Sequence, residues 1–217
     1  CWYRDIAEAG APVTGGRLTA GTLAWIADKL AEAKRRNKTV IAFRHHGAVE
    51  HCSGQSVLFP DYLLDDWETV SRTLAENGLK VIFTGHFHAQ DAVDSERLPQ
   101  PIQPSIVDVE TGSLVTYPSP YRIATIDAGK SLSIESRTVY PDDSEFQNYA
   151  RAYTKEGLAI LARVTLTSPP YSLTDIGVVE LLAGLIAEAF LAHYAGDETP
   201  DEPTLSFIYG LLAEPEP

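Results

Sequence analysis

Apolar positions recur every three or four residues over Leu23, Ile26, Leu30 and Ala33, which predicts a helix with one buried stripe. Lys34, Arg35 and Arg36 load its last turn, where positive charge complements the helix dipole, and Asn37 ends it. Thr39–Phe43 is a short run of apolar and β-branched residues, read as a strand buried on both faces. After a polar, histidine-rich segment from Arg44 to Ser56, Pro60 and Asp61 introduce a second helix over Tyr62–Glu76, closed by Asn77 and Gly78. Lys80–Phe83 is the next apolar strand. Strand, helix and strand at this spacing predict a βαβ unit, hence two parallel strands.

The pattern changes beyond residue 90. Pro99, Pro101 and Pro104 mark an irregular connection. Ser105–Val109, Ser113–Tyr117, Tyr121–Ile126 and Ser131–Thr138 then read as short strands, with Asp127-Ala128-Gly129-Lys130 as the turn of a hairpin. Helical periodicity returns over Ser144–Leu161 and Asp175–His193. The expected fold class is α/β, in an α+β sandwich arrangement. Residues 1–140 form the main domain, and an acidic helical region over residues 141–217 packs on it.

Composition narrows the function. With 44% hydrophobic and 22% charged residues, the 217-residue chain has the make-up of a globular protein with room for a core. The net charge of −13 is uneven: −3 over residues 1–140 and −10 after them. Acidity on this scale argues against a nucleic-acid-binding patch, which needs clustered Lys and Arg. Two cysteines make no disulfide framework. The apolar stretch from Ile176 to Tyr194 has the length of a membrane span, but Glu180, Glu188 and His193 interrupt it, so a core helix is expected instead. The sequon Asn37-Lys38-Thr39 arises too often by chance to place the chain in a compartment.

Four of the six histidines fall at the ends of the two predicted parallel strands: His45 and His46 after the first, His86 and His88 after the second. Ligands bind beyond the carboxyl ends of such strands, and imidazole suits zinc, iron and manganese. A lone buried histidine is usually a satisfied core residue; two pairs on adjacent strands point to a metal or catalytic site. Gly85 is expected to let the chain turn sharply off its strand. Other motifs fail on spacing. HExxH is absent, His46–His51 has one residue too many for HxxEH, and Gly54-Gln55-Ser56-Val57-Leu58 lacks the second glycine of a nucleophile elbow. Cys52 beside His51 reads as a plain thiol.

Val40–His46, ending in a histidine, then Val81–His88, ending in Gly85-His86-Phe87-His88, then Thr111–Arg122 come in the order of the C-terminal half of a calcineurin-like metallophosphoesterase, which residues 15–138 resemble. The resemblance implies a β-sandwich flanked by helices and a dinuclear centre of two divalent or trivalent ions (Mn, Fe or Zn). It implies hydrolysis of a phosphomonoester or phosphodiester substrate. His45 and His86 would hold one ion and His88 the other, with His46 as the alternative to His45. His51 would protonate the leaving group, and Asp91 would either orient a ligand or be an exposed turn residue. The family's DxH, GDxxD and GNH motifs, which precede the lone histidine strand, are absent from this chain, and Gly196–Asp201 has the wrong spacing for GDxxD. Together with the start at Cys1, this leads us to expect the later part of a longer enzyme, whose preceding segment supplies the bridging carboxylate and the asparagine. The rival expectation is a non-catalytic α/β module that keeps the histidine loops for a partner or a single metal.

Overall fold

The computed structural model describes residues 14–52 and 54–196; Cys1 and the acidic tail beyond Gly196 lie outside them. The first expected helix forms as α1 (Ala20–Arg35), capped by the Thr19 hydroxyl, which accepts from the Thr22 amide. Asn37, with φ at 51°, ends it as expected. Leu30 reaches the core, with Leu23 and Ile26 packed beside it.

The chain then builds a mixed four-stranded sheet from β1 (Ala42–Phe43), β2 (Val81–Thr84), β3 (Ala92–Asp94) and β4 (Val107–Glu110), in the order β1-β2-β4-β3. β1, β2 and β4 run parallel, and β3 is antiparallel to β4. The expected parallel pair is therefore present. The first strand is shorter than Thr39–Phe43 and is not buried on both faces. It is the sheet's edge, and Phe43 is 77% exposed, stacked on Phe83 at 5.2 Å. Val40 and Ala42 instead pack into the cluster around Leu30.

Between β1 and β2 lie the four-residue α2 (Gln55–Leu58), a 3-10 turn at Pro60–Tyr62, and α3 (Trp67–Glu76). The second helix thus starts five residues later than expected. Leu63 and Leu64 are held extended because the Gly47 amide donates to the Tyr62 carbonyl and the Leu64 amide donates to the Gly47 carbonyl, both at 3.2 Å. That bridge inserts both leucines into the core and ties the histidine-rich loop to the start of α3.

Ser113–Tyr117 forms consecutive turns rather than a strand, while β3 was not expected at all. The hairpin of β5 (Pro120–Ile126) and β6 (Leu132–Thr138) is in register from Pro120↔Thr138 to Ile126↔Leu132, turning at Asp127 as the sequence predicts. Arg122 ties it to the main sheet, donating to the Glu110 carbonyl at 2.8 Å and the Asp91 carbonyl at 3.0 Å.

α4 (Ser144–Thr167) and α5 (Ile176–Ala195) form a helical hairpin. Ala162, Leu166 and Ala183 make its small core, and Arg163–Glu180 and Lys155–Glu188 pair across it. The expected core helix is buried on one side only: Val179, Ala183, Ala187 and Leu191 face inward, whereas Ile176, Leu181 and Leu185 are exposed. By length and composition alone, with a mean hydropathy of 1.8, α5 also meets the criterion for a membrane span.

Candidate metal centre

The β1–β2 ladder runs on past both strand ends. The Arg44 amide bonds the Phe83 carbonyl and the Gly85 amide bonds the His45 carbonyl, each at 3.0 Å. The two histidine pairs therefore finish side by side. Ring centroids of His45 and His86 are 4.5 Å apart, as are those of His46 and His86. The sharp turn off β2 is made by His86 and His88, with φ of 75° and 64°, and not by the glycine before them, whose φ is not positive. Left-handed backbone is uncommon outside glycine and concentrates at functional sites. Phe87, between them, is buried against Phe59 and Tyr62 and anchors the turn.

His45 is exposed, while His46 is tied down: its Nε2 lies 2.7 Å from the Thr14 carbonyl. Its ring fills the space over Gly16, where a Cβ would come within 2.6 Å of it. Burial and the neighbouring imidazoles of His46, His45 and His88 push His86 down to about 4, against a backbone hydrogen bond to Asp61. Burial, His46 and Arg44 lower His45, and burial, His45 and His193 lower His88. These rings are held neutral near pH 7, the state in which imidazole binds a metal. The Nε2 of His86 is buried without a hydrogen-bond partner. A neutral imidazole nitrogen without a partner is one that a metal ion can take. Among the described residues, no three His, Cys, Asp or Glu side chains already converge on a single metal position.

A second polar cluster forms around His51. The His51 side chain is 0% exposed; its Nδ1 is 3.0 Å from Asp91 Oδ2, and its Nε2 is 3.5 Å from Asp108 Oδ2 and 3.7 Å from Glu110 Oε2. Burial alone would discharge this ring, but Asp108, Asp91 and Glu110 together raise it to about 10. Asp108 also accepts from the Ala48 and Val49 amides at 2.6 and 3.2 Å and from the Thr84 hydroxyl. Burial raises Glu110 to about 8, with Asp108 adding to it and His51 opposing. The cluster clamps the loops after β1 and β2 onto β4.

His51, expected at the substrate, thus sits out of solvent contact as a counter-charge. Asp91, expected as a ligand's orienting group or an exposed turn residue, bonds His51 with its side chain 34% exposed. Sequence reasoning missed Asp108 and Glu110. The available signal was the alternation Val107-Asp108-Val109-Glu110, which puts both acids on one strand face. It also missed the end of α5: His193 is buried with its ring 4.3 Å from Phe87, and Tyr194 lies 5.8 Å from His88. Only a His-Tyr pair in a helical last turn hinted at this.

Set against models of known protein families and against curated proteins, the chain matches none.

Proposed function

We propose that this chain is the C-terminal part of a metal-dependent phosphoesterase of the calcineurin-like type. It would hydrolyse a phosphomonoester or phosphodiester with two metal ions, contributing His45, His86 and His88 as ligands. The observation that carries the reading is the buried, unpartnered Nε2 of His86 beside the His45 and His46 rings, at the adjoining ends of two parallel strands. The chemistry such ions supply when bound is a water of lowered pKa and neutralisation of the charge that builds on the phosphoryl oxygens. The protein's own part is positional. His46, fixed on Thr14, holds its side of the ring cluster, and the His51 clamp sets the loop carrying His45 against the loop carrying His86 and His88. The remaining ligands, a bridging carboxylate above all, belong to a preceding segment.

The full-length protein tests this on p-nitrophenyl phosphate and its bis-ester. Manganese is expected to activate, chelation to abolish activity, and His86→Ala to lower both metal content and turnover. Turnover that survives chelation and His86→Ala alike would overturn the reading. The lack of a converged trio of ligands among the described residues favours one rival, a non-catalytic module binding at most one ion. That rival predicts one equivalent of manganese or less and no hydrolysis of either ester.

A further inference from the structure

The last turn of α5 comes from a part of the chain distant from both histidine loops, yet it is seated on the turn that carries His86 and His88. Phe190 packs against Phe59 at 5.6 Å and against Phe87 at 6.4 Å. His193 is buried against Phe87. Gly196 ends the helix in the left-handed conformation with φ at 74°, so close to Gln90 that a Cβ would overlap its carbonyl oxygen. A glycine is required there both by φ and by the approach itself. The helix end is therefore fitted to the histidine turn through apolar rings on one side and backbone on the other.

This seat places the Tyr194 ring against His88, next to the Tyr62 ring of the 3-10 turn, which lies against His86. The Tyr62 ring is 4.8 Å from His86, and the Tyr194 ring is 5.8 Å from His88. A phenol hydroxyl carries its proton at neutral pH, so Tyr194 is a donor.

We propose that the end of α5 is one wall of the substrate cleft, and that the Tyr194 hydroxyl donates a hydrogen bond to a phosphoryl oxygen of the ester held at His86 and His88. This rests on the phosphoesterase reading and extends it to a residue no metal motif contains. A hydrogen bond to a charged oxygen is worth ~1.5–3 kcal/mol, so its loss weakens binding by about ten- to a hundredfold.

The test uses the full-length, manganese-loaded protein and inorganic phosphate as the probe, with affinity read by titration calorimetry and KM read on p-nitrophenyl phosphate. Tyr194→Phe removes the oxygen alone and is expected to raise the phosphate dissociation constant and KM at least about tenfold, with metal content and melting temperature unchanged. Tyr149→Phe, on the exposed side of α4 and stacked on Tyr153, is expected to change neither. Phosphate binding by Tyr194→Phe as tight as in the unmodified protein would overturn the proposal. If the unmodified protein binds manganese but neither phosphate nor ester, the phosphoesterase reading itself fails, and that is visible before any variant is made.

Discussion

Asp108 accepts hydrogen bonds from two backbone amides and a threonine hydroxyl where no solvent reaches it. Asp108→Ala would leave those donors without an acceptor and take one of three carboxylates from the buried His51. Breaking a buried network of this kind costs ~3–5 kcal/mol, a loss that urea denaturation would register as a lower midpoint. His51 and Glu110 make stability depend on pH in one direction. His51 is raised from 6.5 to about 10, so its contribution is complete below pH 6.5 and is lost as pH rises through 10. Glu110 is raised from 4.5 to about 8, so the folded chain holds that proton more tightly than the unfolded one, and stability falls as pH rises across that interval. Asp91 is lowered from 3.8 and acts only in more acidic solution. Calorimetric scans from pH 5 to pH 10 should therefore show a falling melting temperature. His51→Gln should flatten the portion above pH 6.5. A melting temperature that climbs between pH 7 and pH 10 would mean that the ring is not charged in the folded state.

Close packing between elements decides which small changes matter. A Cβ at Gly112 would come within 2.6 Å of the Pro120 ring and 3.0 Å of the His88 carbonyl, where β5 begins against the histidine turn. Gly112→Ala is expected to destabilise by ~1–3 kcal/mol through overpacking and to lower ester hydrolysis by displacing His88. At Gly157, inside α4, an added Cβ meets nothing within 4 Å. Gly157→Ala should stabilise by ~0.5–1 kcal/mol, because alanine loses less backbone entropy in a helix. Parallel denaturation curves of the two variants should thus shift in opposite directions. The Arg163–Glu180 pair joins α4 to α5 with both side chains well exposed. A double-mutant cycle should give a coupling below about 1 kcal/mol, reduced further by salt. The helices were legible in sequence because their apolar spacing, the basic last turn of α1 and the terminal Asn and Gly all act locally. β1 was misjudged because apolar content alone does not distinguish an edge strand from a central one.

Over the whole molecule, the sequence by itself determined that two apolar strands end in histidine pairs, that a helix joins them, and that a hairpin and two helices follow. These are properties of residues near one another in the chain, set by side-chain period, capping and turn chemistry. Tertiary structure alone decided which imidazole of the first pair is tied to Thr14, that His51 is sealed among Asp91, Asp108 and Glu110, and that Tyr194 reaches His88. It also decided which face of α5 stays exposed. Each of these turns on contacts between residues far apart in sequence. The same histidine or acid can be a ligand, a counter-charge or a solvated side chain according to the groups that long-range packing places around it, and no local pattern records those groups.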